Sequence, residues 1–222
     1  MSDKKNVNVK LNGVQATGSV GELKLRQRSN YSAQHLMAAT RFSKMCGDIQ
    51  TENIGKPLGS FYDEQISCVS ATIMLCVASI ESNVNEYLSD PGVLFPELTA
   101  TARQEFSELI SEISILEKYQ RILAVKGLEK FDQGSNPYQD IDTLIALRNE
   151  LVHFHPEWHD EQQRHKKLGQ RLLYRFELSP FISEGSGVLF PQRIISHGCT
   201  KWAVDSSTSF MKKFAEKLSK KS

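Results

Sequence analysis

The chain has 222 residues, enough for one domain with a substantial buried core, or for one domain with an arm. Its 27 Lys and Arg residues against 26 Asp and Glu residues give a formal net charge of +1, which excludes an overall basic field, so any nucleic-acid binding must depend on a local patch. The opening residues MSDKKNVN lack the apolar core of a signal peptide, and the apolar run over residues 68–80 is too short to span a membrane, so we expect a cytoplasmic protein without a membrane partner.

The first 30 residues predict an arm that is irregular or β-like. Residues 7–14, VNVKLNGV, alternate apolar and polar side chains as a short strand does, and Asn12-Gly13 is a typical turn sequence. From residue 31 onward the apolar residues recur at helical spacing. The sequence therefore predicts an N-terminal arm over residues 1–30 and one helical domain over residues 31–222.

Helical periodicity then recurs along the rest of the chain. The most apolar segment is 61–88, which is apolar or small on nearly every face between residues 68 and 80, as expected of the central helix of a bundle. Segment 98–126 predicts an amphipathic helix, either continuous or broken near Tyr119. Residues 157–170 are dense in charge and predict a solvated helix, whereas residues 179–198 predict a long irregular segment. With helices also predicted near 31–49, 137–153 and 199–218, the fold class is all-α, a bundle of about five or six helices.

Four cysteines, Cys46, Cys68, Cys76 and Cys199, occur without C-x-x-C spacing. Cys68 and Cys76 lie in the most apolar segment, where they read as small core residues. Unpaired cysteines of this kind indicate a reducing compartment.

The most distinctive chemistry lies in residues 142–158, DTLIALRNELVHFHPEW. Arg148 falls within the apolar stripe of a predicted helix, so its guanidinium needs an anionic partner. Asn149 and His153 are four residues apart and lie one above the other on an adjacent face. Pro156 ends the helix, which puts His153 in the last turn, where exposed carbonyl groups favour a cationic imidazole.

Residues 148–153, RNELVH, resemble the signature of the HEPN superfamily: an Arg, commonly a polar residue such as Asn, then a His after four to six intervening residues. The upstream apolar segment ending ASIESNVNEYL and the closing segment CTKWAVDSSTSFMKKF are also similar to HEPN chains, so the resemblance covers residues 31–218. HEPN domains are small helical bundles that usually dimerise. Many are metal-independent ribonucleases of defence or toxin–antitoxin systems.

The resemblance implies an endoribonuclease or RNA-binding domain that needs no cofactor and forms a homodimer, with Arg148 and His153 at the dimer cleft. His153 would take the proton from a ribose 2′-OH or deliver one to the leaving 5′ oxygen, since imidazole titrates near neutrality. Arg148 would neutralise charge on the phosphorane oxygens, and Asn149 would orient the His153 ring or bind phosphate. In HEPN toxins silenced by a nucleotidyltransferase, a Tyr comes two residues after the His. This chain has His155 there, beside the site, which argues against an antitoxin partner of that kind.

Blander interpretations of the same residues stay open. Arg148 and His153 also fit an ion pair at the edge of the core plus a surface histidine. Glu81 and Asn85, near the end of the central segment, either orient Arg148 or mark where that helix reaches solvent. The rival function is a non-catalytic helical interaction protein. Basic residues converging on the RNELVH segment would favour the enzyme, and an acidic or occluded surface would favour the rival.

The histidines of this region raise the question of zinc, which needs three or four convergent ligands. Of His153, His155, His159 and His165, only His155 and His159 have helix-like spacing, and Pro156 lies between them. The sequence therefore predicts no metal site. From the HEPN resemblance we expect RNA, and not DNA, as the nucleic-acid partner.

Overall fold

A computed structural model describes residues 7–11, 14–19, 22–158, 164–183 and 189–219, and for residues 7–27 it describes the backbone alone. The chain divides into two compact units, Met1–Tyr31 and Ser32–Ser222. In the first unit, strands β1 (Val7–Leu11), β2 (Val14–Ser19) and β3 (Glu22–Gln27) form an antiparallel sheet in the order β1-β2-β3. The predicted Asn12-Gly13 turn lies outside the described residues.

The second unit is a helical bundle, so the predicted all-α class is confirmed. Its described residues form eight α-helices instead of five or six, because a helix of 4 residues is too short to show a periodic pattern and one predicted helix is divided. They are α1 (Ser32–Asn53), α2 (Ser60–Leu88), α3 (Pro91–Leu94), α4 (Ala100–Ser111), α5 (Ile115–Val125), α6 (Tyr138–Val152), α7 (Lys166–Leu172) and α8 (His197–Ser219), with a 3-10 turn at Gln192–Ile194 before α8.

The division between α4 and α5 lies at residues 112–114, not near Tyr119. Ser114 caps α5, because its hydroxyl accepts a hydrogen bond from the Glu117 N–H at 3.3 Å. Capping satisfies a backbone donor that has no partner within the helix. The chain can therefore restart a helix here in a new direction, and segment 98–126 becomes two helices.

The central position of α2 is confirmed: it packs against α1, α5, α6 and α8. Tyr119 of α5 joins three of these helices at one point. Its hydroxyl donates to the Ile80 carbonyl of α2 at 2.8 Å, and its ring meets the rings of Phe210 and Phe214 of α8 edge-on at 4.8 and 4.6 Å. The polar tip is satisfied while the ring stays fully buried, which is how a tyrosine is accommodated in a core.

Length and composition alone would allow α2 to cross a membrane, and among the described residues it is the one such helix. Half of its most apolar window is buried inside the bundle. The core helix of a globular protein has the same properties.

All four cysteines are buried and free, so the core positions predicted for Cys68 and Cys76 are confirmed. Burial raises the pKa of the Cys46 and Cys76 thiols to about 12, and it also raises the pKa of Cys68 and Cys199. Desolvation is the main cause, because a thiolate loses more than a thiol does when water is removed.

The solvated helix predicted over residues 157–170 is wrong in part. Residues 154–158 are not helical, and α7 begins only at Lys166, while residues 159–163 lie outside the described residues. His165, Leu168 and Leu172 are buried, at the spacing i, i+3, i+7 that gives a helix one inward face. The charged residues of this segment are therefore exposed on one side of a helical turn, and the other side of that turn is buried.

Candidate functional site

The C-terminal part of α6 carries the predicted site residues Arg148, Asn149 and His153. The helix ends at Val152, and His153 is its C-cap, with its backbone N–H donating to the Asn149 carbonyl at 2.9 Å. Residues 154–158 are not helical, as expected of chain that approaches Pro156. The helix therefore ends where the sequence predicts, with the histidine at its terminus.

Arg148 is half-buried, and its Nε atom is buried without a hydrogen-bond partner. Within the described part of the chain no carboxylate, that of Glu81 included, forms an ion pair with it. A partly buried guanidinium without an anion is unfavourable. Arg148 therefore retains the capacity to bind an anion from outside this chain.

The side chains of Asn149 and His153 are both exposed. Among the described residues neither side chain makes a hydrogen bond, so the expected orientation of the imidazole by Asn149 is not formed; the two residues are joined through the backbone alone. The His153 ring is therefore accessible from solvent.

The two residues expected behind the site differ from each other. Asn85 is exposed and accepts a hydrogen bond from Lys118 Nζ of α5 at 3.3 Å, so it faces α5. Glu81 is half-buried and makes no ion pair in the described chain. Asn85 therefore fits the interpretation that it marks where α2 reaches solvent better than it fits a role in orienting Arg148.

His165 is the residue of this region that the sequence analysis missed as part of the site. Its ring is buried, with 1% of the side chain exposed. Nδ1 lies 3.4 Å from Glu150 Oε2, and Nε2 lies 3.1 Å from the His155 carbonyl oxygen and 3.9 Å from Glu157 Oε2. His155 thus contributes its backbone, while its side chain is exposed.

The two ring nitrogens of His165 have different surroundings. The His155 carbonyl can only accept a hydrogen bond, so Nε2 donates to it. Nδ1 faces the Glu150 carboxylate at 3.4 Å, and among the described residues Nδ1 and the Oε2 atoms of Glu150 and Glu157 are buried without a hydrogen bond.

The same ring belongs to a cluster of three aromatic rings, in which Phe154 and Phe190 also contact each other at 6.1 Å. Phe154 stacks on His165 with ring centroids 5.6 Å apart and planes 1° apart, and Phe190 meets it at 4.9 Å and 54°. The chain just after α6 is therefore folded around the first residues of α7. The sequence signal for this was the spacing of His165 with Leu168 and Leu172, which puts the histidine on the buried face of α7.

The histidines do not assemble a metal site in the described residues, where no group of three or more His, Cys, Asp or Glu side chains could hold an ion. His165 presents its two nitrogens to different carboxylates, and a single ion binds one ring nitrogen only. His153 and His155 are exposed, and His159 lies outside the described residues.

The basic residues of this region differ between the two ends of α6. Near its first turn, Arg171 pairs with Asp142 at 2.7 Å, and Arg175 pairs with Asp140. Near its last turn, Arg164, Lys166 and Lys167 flank His165, are exposed, and make no ion pair within the described chain. Three exposed basic residues without an ion-pair partner among the described residues therefore lie next in the chain to His165, which contacts Glu150 of the RNELVH segment.

No family model, curated protein or solved structure matches this chain.

Proposed function

We propose that this protein is a metal-independent endoribonuclease of the HEPN type, of the kind found in defence or toxin systems. The observation that carries the proposal is Arg148, which is half-buried, has no anionic partner among the described residues, and precedes the exposed His153 by little more than one helical turn. Such a cation can bind a phosphate group. Imidazole is the side chain that most often transfers protons in enzymes.

In the proposed reaction His153 removes the proton from a ribose 2′-OH. The 2′ oxygen then forms a bond to phosphorus, and the bond from phosphorus to the 5′ oxygen breaks. The leaving 5′ oxygen takes up a proton, so that the products are a 2′,3′-cyclic phosphate and a 5′-hydroxyl. Arg148 stabilises the extra negative charge on the phosphorane oxygens through its several N–H donors.

A symmetric homodimer completes this proposal. One chain offers one Arg148 and one His153, whereas the reaction needs both a base and an acid. A two-fold axis near the end of α6 would supply both residues twice in one cleft. DNA would not be a substrate, because it lacks the attacking 2′ hydroxyl. His155 occupies the position of the Tyr found in HEPN toxins that a nucleotidyltransferase silences, which argues against an antitoxin of that kind.

A second candidate is a non-catalytic helical interaction protein. The exposed apolar side chains of Val152 and Phe154 beside His153 favour it, because such residues often mark a protein contact. The unpaired cations Lys166 and Lys167 favour the enzyme.

The test is an incubation of the purified protein with total RNA and with a single-stranded oligoribonucleotide. Arg148→Ala and His153→Ala should each abolish cleavage while circular dichroism and the melting temperature stay as in wild type. Arg121→Ala, which removes an exposed arginine of α5, is the matched control and should cleave normally. Cleavage by both site variants at the wild-type rate would refute the proposed mechanism and favour the interaction protein.

A further inference from the structure

Phe154 presents an exposed aromatic ring, and its contact with His165 holds the orientation of that ring. The ring is 44% exposed, yet one face lies parallel to the buried His165 ring. His165 is itself held by Phe190 and by the carboxylates of Glu150 and Glu157. A side chain that is already ordered loses little conformational entropy when a ligand stacks on it.

A second exposed aromatic residue follows in the same stretch. Trp158 is 76% exposed, and its indole N–H makes no hydrogen bond among the described residues. It comes directly after Glu157, whose carboxylate faces His165. Scattered exposed apolar residues are normal in proteins. Phe154 and Trp158 differ from such scattered residues, because they flank residues 155–157, which contact His165. Phe154 also follows His153 directly in the chain.

The charge of this surface distinguishes between occupants. Arg164, Lys166 and Lys167 flank His165 in the chain, are exposed, and make no ion pair among the described residues. A polyanion with unpaired aromatic bases uses both features, since bases stack on aromatic side chains and phosphates bind Lys and Arg.

We propose that Phe154 and Trp158 stack unpaired bases of single-stranded RNA while Lys166 and Lys167 bind its phosphates. This names the substrate class of the proposed ribonuclease site and rests on that proposed function. In duplex RNA the bases are stacked on each other and cannot reach an aromatic side chain. The cleaved position should therefore lie in a loop or other unpaired segment.

The experiment measures binding separately from cleavage. The probe is a fluorescent single-stranded RNA methylated at every 2′ oxygen, which cannot be cleaved by the proposed reaction, and binding is followed by fluorescence anisotropy. Phe154→Leu, which keeps an apolar side chain but removes the aromatic face, and Trp158→Ala should each weaken binding roughly tenfold. Phe154→Tyr should bind as wild type does.

Tyr174→Ala is the matched control, since Tyr174 is 94% exposed and lies next to Arg175, which pairs with Asp140 in the first turn of α6. It should leave affinity unchanged. Replacing the bases of the probe by abasic sites should lower wild-type affinity to the level of Phe154→Leu, and the same sequence as a duplex should bind more weakly.

Three results would overturn this inference: wild type does not bind the single strand, Phe154→Leu and Trp158→Ala bind it as wild type does, or duplex binds equally well. Light scattering adds a fourth, because loss of a dimer in Phe154→Leu would mean that the surface joins two copies. If the aromatic residues govern binding but ordinary RNA is not cleaved, the inference stands and the proposed ribonuclease function fails.

Discussion

Nδ1 of His165 lies 3.4 Å from a carboxylate oxygen of Glu150, one of the six residues of the RNELVH segment. The last turn of α6 thus lies against His165, the N-cap of α7. Because Glu157 and the His155 carbonyl face the same ring, His165 also contacts the chain between the two helices. The conformation around His153 and Phe154 therefore depends on a residue outside the RNELVH segment.

His165→Ala should destabilise the fold by about 1–3 kcal/mol, because it removes a buried ring that packs against Phe154 and Phe190 and the hydrogen bond from Nε2 to the His155 carbonyl. Urea unfolding measures the effect. His155→Ala is the matched control, since His155 contributes only its backbone carbonyl to the contact, and it should change stability by less than about 0.5 kcal/mol. Equal unfolding midpoints for the two variants would show that His165 does not hold this region.

The bundle and its central helix could be predicted because they follow from local pattern. Cys68, Val77 and Ile80 belong to a segment that is apolar on nearly all faces. Such a helix can bury all of its faces only at the centre of the bundle. The break before α5 also had a local signal that was not used: Ser114 and Glu117 have the S-x-x-E spacing of a capping box.

The sequence left open whether Glu81 orients Arg148, and the reason is physical. Periodicity assigns each residue to a face of its own helix, but it does not define how α2 and α6 are rotated against each other. The same limit applies to Asn85, which faces Lys118. By contrast, His165 could have been assigned to the core from its spacing with Leu168, had its charge not suggested a solvated helix.

Cleavage by the proposed site should persist in EDTA and should spare DNA. His153 and Arg148 activate an internal hydroxyl, so no metal-bound water is needed. The substrates to compare are a single-stranded RNA, its DNA copy, and an RNA copy methylated at the 2′ oxygen of the mapped cleavage position alone. Only the unmodified RNA should be cut, with a 2′,3′-cyclic phosphate at the new end. Loss of activity on chelation, or cutting of the DNA copy, would count against the mechanism.

The protein should be a homodimer in solution at micromolar concentration, with the ends of the two α6 helices near the two-fold axis. Light scattering gives the mass. A mixing experiment tests the shared site: if each cleft needs both chains, Arg148→Ala mixed with His153→Ala should regain part of the activity that each variant lacks alone. A monomer with full activity would refute the shared cleft.

The four thiols should not react with a disulfide reagent at pH 8 while the protein is folded. The thiolate is the reactive form, and burial raises the pKa of Cys46 and Cys76 to about 12 and raises that of Cys68 and Cys199 as well. In guanidinium chloride all four should react at once. Colorimetric titration in both conditions checks this, and a thiol that reacts quickly in the native protein would show that its helix opens locally.

The same pKa shifts predict that stability falls with rising pH above the ordinary thiol pKa of 9.0. In the unfolded chain the cysteines lose their protons near that value, whereas in the folded protein Cys46 and Cys76 keep theirs up to about 12. The folded state then binds more protons than the unfolded state, so the free energy of unfolding decreases with pH over this window.

Cys76→Ala should be less stable than wild type at pH 7 because it leaves a cavity. Its loss of stability between pH 8.5 and 10 should nevertheless be smaller than that of wild type, by up to about 1 kcal/mol. Urea unfolding at both pH values measures the difference, and parallel losses in the two proteins would mean that Cys76 ionises as readily folded as unfolded.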